Sequence, residues 1–230
     1  MLKLDHVVYF TTESPDQTVT AQKQLGYHAV IGGHHLNWGT QNALLYTKNA
    51  YVEWLSVEDK NIAQSAHHPL TSLLLHDLKS GDGWGTICIS VDDIKKFDSD
   101  IKRKGFNSSG IIEGSRKTPE GKIKRWKMLF IDQPDLNQLP YPFFIEWKER
   151  ENIRFENLKN SKAILAENER LQIRECLFSV NDISQKINLW AKLLSLQVLE
   201  TNSIRLPNAV LKFLPKSLNG KERLCEVIIK

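Results

Sequence analysis

One pattern is written three times along this chain: a short apolar, β-rich run ending in polar residues suited to start a helix. It is read in residues 4–13, from Leu4 to Thr11-Thr12-Glu13, in residues 84–94, from Trp84 to Asp92-Asp93-Ile94, and in residues 173–183, from Ile173 to Asn181-Asp182-Ile183. Val91-Asp92-Asp93-Ile94 and Val180-Asn181-Asp182-Ile183 set the register of the second copy against the third. A recurring supersecondary unit cannot bury its apolar face alone, so its copies must pack on one another. That requirement decides the architecture before any single residue does.

Each run leads into a helix signal. Ser14, Pro15 and Gln17 make a start with proline at the first helical position and a Ser-x-x-Gln capping box, and Gly26 makes a stop. In the second copy Asp92 or Asp93 caps, Ile94, Phe97 and Ile101 share one face, and Gly105 ends the helix. In the third, Asn181 or Asp182 caps, and Ile183, Ile187, Trp190 and Leu194 form the apolar stripe. Three strand candidates follow each helix. The closing ones are Tyr51-Val52-Glu53-Trp54-Leu55, Phe144-Ile145-Glu146-Trp147-Lys148 and Leu224-Cys225-Glu226-Val227-Ile228, each with a glutamate among apolar neighbours. Gln41-Asn42-Ala43-Leu44-Leu45 and Pro207-Asn208-Ala209-Val210-Leu211 echo one another as third strands. The pattern predicts an α+β chain of tandem βαβββ modules, with a first module over 1–60, a second over 84–150 and a third, degenerate one over 171–230. Residues 61–83 form a linker with an amphipathic helix from Pro69 that stops before Gly81. Residues 151–170 form a connecting helix or linker. The second module is the longest because of insertions at 113–121 and 132–142.

Charge and composition exclude several functions. The net charge is +4 with the basic residues scattered, which does not make a nucleic-acid face. Six Lys and Arg fall between Ser115 and Lys127, and read as a solvated hairpin. Cys88, Cys176 and Cys225 lack metal or redox spacing and sit in strand-like runs, as buried residues of a reducing cytoplasm do. The N-terminus runs directly into a strand with no leader, and no apolar run nears the ~20 residues that cross a bilayer. These features predict a soluble cytoplasmic protein with no membrane partner.

Three segments together carry a family resemblance: Leu4-Asp5-His6-Val7-Val8, then Gly32-Gly33-His34-His35-Leu36-Asn37-Trp38-Gly39-Thr40-Gln41-Asn42-Ala43, then Tyr51-Val52-Glu53. They resemble the glyoxalase-like domains of the vicinal oxygen chelate superfamily. The resemblance implies that the first two modules pair into a cup-shaped, partly open barrel with the third copy appended. It also implies a metal position built from one first-strand residue and one closing-strand glutamate of each module. Those places here are His6, Glu53, Thr86 and Glu146. A threonine hydroxyl is a poor ligand beside imidazole and carboxylate, so the implied metal ligands are His6, Glu53 and Glu146, holding Zn, Ni, Mn or Fe.

The same three residues are the candidate catalytic groups, as ligands or as acid and base beside a carbonyl. His35, Trp38 and Asn42 project from the glycine-rich turn, and Arg125 and Trp126 from the opposite module, as candidate ligand-binding residues. An arginine there suits a carboxylate or phosphate. Trp54 and Trp147 are expected to point away from the cup and pack beneath the helices, and His67-His68-Pro69 reads as a helix start. Function follows as a glyoxalase-like protein acting on a small carbonyl- or carboxylate-bearing metabolite, as a metal-dependent lyase, isomerase or dioxygenase-like enzyme. The alternative on the same scaffold is a non-catalytic protein that sequesters a small molecule. The third module either packs on the other two or pairs in a homodimer.

Overall fold

The structure is a computed structural model that describes residues 2–118, 121, 123–200, 202–217 and 220–230. The 113–121 insertion and the Ser115–Lys127 basic stretch therefore lie partly outside the described residues, at 119, 120 and 122. The chain runs β1 (Lys3–Phe10), α1 (Pro15–Gln24), β2 (Val30–His35), β3 (Thr40–Tyr46), β4 (Tyr51–Val57), α2 (Lys60–Ser65), α3 (Pro69–Asp77) and β5 (Gly83–Ser90). It continues through α4 (Ile94–Arg103), β6 (Ser108–Lys117), β7 (Ile123–Ile131), β8 (Phe143–Trp147) and α5 (Glu151–Asn160). The last part holds β9 (Ile173–Val180), α6 (Ile183–Leu194), β10 (Val198–Leu199), β11 (Ser203–Arg205), β12 (Val210–Pro215) and β13 (Arg223–Ile229).

Local chemistry sets the helices. The Ser14 hydroxyl accepts from the Gln17 backbone N–H while the Gln17 side chain accepts from the Ser14 N–H, a closed capping box at α1. Of each pair of acidic or amide candidates, Asp93 caps α4 and Asp182 caps α6. Gly105 takes a φ of +87° after α4, a backbone state a side chain resists.

Eight strands close a barrel in the order β1-β4-β3-β2-β6-β7-β8-β5. The two halves meet along β1 and β5, which are antiparallel, with His6 directly opposite Cys88. On the far side the gap between the halves is bridged, among the described residues, at His34 with Lys117. A Cβ on Gly33 would stand 2.0 Å from the Lys117 carbonyl oxygen, and Gly33 has a φ of +134°, so this closure needs glycine. The interior is filled at one end by α3, whose Leu70, Leu73 and Leu74 pack with Val8, Phe10, Leu55 and Met128. Each such buried side chain contributes about 1.5–3 kcal/mol.

The C-terminal sheet has the order β10-β11-β12-β9-β13. Here the structure corrects the strand assignment. The segment expected to close this unit, Leu224 to Ile228, runs antiparallel to β9, as β5 does to β1. The strand parallel to β9 is β12, in the place β4 holds beside β1. Asn208-Ala209 therefore corresponds to Asn49-Ala50, each pair preceding a strand parallel to the first, and not to Asn42-Ala43. The two asparagines tie the sheets together. Asn208 accepts from the Leu4 N–H at 2.9 Å and donates to the Leu4 carbonyl at 2.8 Å. Asn49 does the same to Ile173, at 3.0 and 2.8 Å. The core of the C-terminal sheet, around Phe178, Trp190 and Phe213, is continuous with the outer face of the barrel.

Candidate functional site

Strand alternation and register decide which side chains face the cup. On β4, Tyr51, Glu53 and Leu55 line one cavity, and on β8 it is Phe143, Ile145 and Trp147. His6 pairs in register with Tyr51, and Glu53 lies two residues further along β4. Cys88 pairs in register with Phe143, and Ile145 lies two residues further along β8. The counterpart of His6 is thus Cys88, not Thr86, and the counterpart of Glu53 is Ile145, not Glu146.

Glu146 faces the helix side. Its Oε2 accepts from the Ile94 N–H at 2.8 Å, at the start of α4, and its Oε1 from Lys127 Nζ at 3.3 Å. A carboxylate at a helix N-terminus is well placed for stability, but it does not join His6 and Glu53. Thr86 is buried, near the α3 end, and donates to the Tyr141 carbonyl at 3.3 Å. Trp147 reverses its expected direction: it lines the cup, and its Nε1–H donates to Asp5 Oδ2 at 2.9 Å. Arg125 is exposed outside the cup, and the arginine that reaches the cavity is Arg116 on β6.

A chain of alternating charges lies in the wall. Arg116 Nη1 is 3.5 Å from Asn42 Oδ1, and Asn42 Nδ2 donates to Glu53 Oε1 at 2.5 Å. Glu53 Oε2 is 3.4 Å from His6 Nε2, and His6 Nδ1–H donates to Asp5 Oδ1 at 2.8 Å. Asp5 Oδ2 in turn accepts from Arg154 on α5 at 3.3 Å. A register shift between Leu4 and His6 in the β1–β5 pairing places Asp5 and His6 together in this wall.

The charge states follow from these neighbours. Burial works against an ionised Glu53, but the hydrogen bond and charge of His6, with His35 and Asn42, outweigh it and hold the carboxyl at about 2. Burial likewise opposes Asp5, and Arg154, His6 and Trp147 bring it to about 2. For His6, burial disfavours the proton, while Cys88, Asp5 and Glu53 raise the imidazole well above 6.5. Burial pushes the Cys88 thiol up to about 12, so Cys88 is uncharged at neutral pH. Asp5 and Glu53, hydrogen-bonded to the two ring nitrogens, add to Cys88 in favouring the proton on His6.

The opposite wall is aromatic. Trp38 stacks on His68 at 4.2 Å, and His35 meets Trp38 at 5.5 Å and Trp126 at 6.0 Å. Burial, in a wall without a carboxylate beside it, drops His68 to about 3, with the charge of His35 adding to the effect. Burial, with Arg116 and His34, outweighs Glu53 and takes His35 to about 4. Two polar atoms of this wall, His68 Nε2 and Trp126 Nε1, and Arg116 Nε of the charged wall are buried without a hydrogen-bond partner among the described residues. Burying such groups unpaired is costly, and a ligand is one way to satisfy them.

Of the residues expected in the site, the structure brings together His6, Glu53, His35, Trp38, Asn42 and Trp126, and leaves out Glu146 and Arg125. Sequence reasoning missed Asp5, Cys88, Arg116, His68 and Arg154. Arg116 stood in the basic hairpin with no mark to separate it from its neighbours, and His68 read only as a residue before a proline. The alternation of β5 was the one signal that could have found Cys88. Asp5, His6 and Cys88 each present a metal-competent donor atom within 4.8 Å of the others, an oxygen, a nitrogen and a sulfur. That mixed donor set fits a borderline-soft divalent ion.

Among the described residues no helix is long and apolar enough to cross a membrane. No curated protein matches the chain in sequence. Among solved structures, a hypothetical protein from Staphylococcus aureus is similar with a TM-score of 0.85 at 22% identity, over 100% of this chain and 91% of that one. The hypothetical protein BH1468 from Bacillus halodurans C-125 is similar at 0.45 and 16% identity, over 65% of this chain and 96% of its own. A methylmalonyl-CoA epimerase from Streptomyces coelicolor, solved with 2-nitronate-propionyl-CoA, is similar at 0.45 and 15% identity, over 64% of this chain and 98% of its own. The first of these establishes the fold over the full chain. The family model described as a glyoxalase-like domain matches residues 4–194, and the chain belongs to the glyoxalase-like domain family.

Proposed function

We propose that the cup binds a small carbonyl- or carboxylate-bearing metabolite and moves a proton on it, with Glu53 accepting and His6 donating. The observation that carries this reading is a carboxylate and an imidazole 3.4 Å apart on the wall of one cavity. Asp5 holds the far side of the His6 ring at 2.8 Å, so Nε2 is the looser end and the one able to turn to a ligand oxygen. A carboxylate at about 2 is a weak base while His6 faces it. A ligand oxygen that draws the Nε2–H to itself removes that neighbour. Binding would then raise the basicity of Glu53 next to the carbon it deprotonates.

A divalent ion (zinc, nickel, manganese or iron) would be held by His6 with Glu53, or by His6 with Asp5 and Cys88. Such an ion would supply polarisation of the ligand's carbonyl. Metal content by mass spectrometry checks this arm. Zinc or iron near stoichiometry in the wild type and absent in His6→Ala supports it, and equal content in both removes the metal from the reading.

The proton-transfer reading is tested in D2O with a panel of small 2-oxo acids and hydroxyketones, following deuterium uptake next to the carbonyl by NMR. Exchange is expected to fall about a hundredfold or more in Glu53→Gln, the size of a lost general base. Glu146→Gln, on the helix side, is expected to keep it. Equal exchange in wild type and Glu53→Gln would sink the proposal. Binding without exchange in any variant would favour the sequestering alternative, to which the stacked aromatic wall and the apolar Ile145 lend support.

A further inference from the structure

Beside the cup lies a vestibule between the β6–β7 hairpin, the end of β8 and α5. The two hollows adjoin at Tyr51, Arg116 and Trp147, which line both. Its described lining carries five cations, Arg116, Lys124, Arg125, Lys148 and Arg154, against the carboxylate of Glu149. Glu149 is matched to Lys124 at 3.2 Å, and Arg154 to Asp5 at 3.3 Å. Arg116, Arg125 and Lys148 have no ion-pair partner among the described residues.

Two of these cations are also the two ends of the polar chain in the cup wall. Arg116 reaches Asn42 by crossing β2 at Gly32, where a Cβ would stand 2.0 Å from Asn42 Oδ1 and 2.9 Å from Arg116 Nη1. The glycine thus keeps open the space through which the guanidinium passes. Arg154 lies over the Trp147 ring at 4.4 Å and is fixed by Asp5. Both arginines have a buried Nε with no partner among the described residues. Two guanidinium groups held in place, each with donor capacity unspent and both facing one solvent-filled hollow, are preorganised for an oxyanion.

We propose that the vestibule between Arg116 and Arg154 is an oxyanion subsite. The ligand is then an organic anion whose carboxylate or phosphate stays in the vestibule while its uncharged carbonyl end enters the narrower cup. This deepens the proton-transfer reading, and rests on it only for what happens inside the cup. The unmatched cations at the mouth also concentrate anions there and speed their arrival, an effect that salt screens.

The test is calorimetric titration with inorganic phosphate and, separately, with acetate, at constant ionic strength. Wild type is compared with Arg116→Gln, with Arg116→Lys, and with Lys95→Gln/Lys96→Gln, which removes charge from the exposed face of α4. Arg116→Gln is expected to weaken binding about tenfold, the effect of one lost charge-assisted hydrogen bond. Arg116→Lys, which keeps the charge and loses the fork, is expected to weaken it too, with an unchanged unfolding midpoint. The α4 pair is expected to stay within about twofold, as distant surface charges do. Tighter binding of phosphate or of acetate names the anionic group. No binding of either at millimolar concentration, or equal loss in Arg116→Gln and the α4 pair, would overturn the subsite. Neither titration involves a reacting group. Phosphate binding at Arg116 without deuterium exchange would uphold the subsite and sink the proton-transfer reading alone.

Discussion

Three buried histidines in one cup carry different charges because of what their rings face. His6 lies between two carboxylates and keeps its proton, whereas His35 and His68 sit in an aromatic wall and stay neutral. The unfolded chain takes up protons on His35 and His68 near pH 6.5, but the folded protein resists until about 4 and about 3. Their contribution to stability is therefore full above 6.5 and is lost as the pH falls from there toward 4. The slope approaches about 1.4 kcal/mol per pH unit for each histidine. Asp5 and Glu53, both held at about 2, add stability that is present above their ordinary values of 3.8 and 4.5 and is lost as the pH falls toward 2. His6 has the opposite sign: its contribution is present below 6.5 and is lost as the pH rises through its raised value. Urea unfolding is thus expected to show stability falling steadily between pH 6.5 and 4. His35→Gln/His68→Gln should flatten that slope, and a slope left unaltered by the double variant would mean that these rings are not held neutral in the fold.

Periodicity and caps made the elements legible, while register did not. Helix starts at Ser14-Pro15, Asp93 and Asp182 follow from side chains that satisfy free N–H groups within a few residues, so a linear reading finds them. The facing of β8 does not follow in that way. Tyr-Val-Glu-Trp and Phe-Ile-Glu-Trp align by residue type, yet β8 pairs with β5 so that Phe143 takes the place of Tyr51 and Ile145 that of Glu53. A one-residue slip turns every side chain of a strand to the other face. It sends Glu146 to the N-terminus of α4 and brings Trp147 into the cup. The same limit explains the misread C-terminal sheet, where Asn208-Ala209 matches both Asn42-Ala43 and Asn49-Ala50 by type. Only the parallel pairing of β12 with β9 and the reciprocal bonds of Asn49 and Asn208 choose between them. The half of the site that lies on β1 and β4 was accessible because His6 and Glu53 sit in short, unambiguous strands. The arginines were not, since Arg116 and Arg154 gain their meaning from a hairpin and a helix folding back over the same opening.

At the scale of the molecule, the C-terminal sheet does more than cover the barrel. Arg223, at the start of β13, donates to Asp77 from Nε at 2.7 Å and from Nη2 at 2.8 Å, and Asp77 is the last residue of α3. The same guanidinium donates to the carbonyls of Gln138, at 2.6 Å, and Leu136, in the loop between β7 and β8. One buried arginine thus fastens the helix that fills the barrel and the loop beside it to the last strand of the chain. Asp77 is held below its ordinary value: burial raises it, and Arg223, His76 and Lys221 more than offset that. Replacing Arg223 by alanine leaves a mostly buried carboxylate with His76 at 3.0 Å and Lys221 at 3.6 Å as its remaining partners, so the expected loss is about 3 kcal/mol, the low end for a broken buried pair. Asp77→Asn/Arg223→Met, which removes both charges and keeps the bulk, should recover a large part of it. The two variants also separate stability from the hold on α3. Amide exchange at Leu73 and Leu74 should quicken in Arg223→Ala beyond what its global stability explains, because the end of α3 is released while its leucines remain in the barrel. Exchange there that tracks global unfolding alone would mean that α3 is held by its apolar face, and that the C-terminal sheet has no grip on the cup.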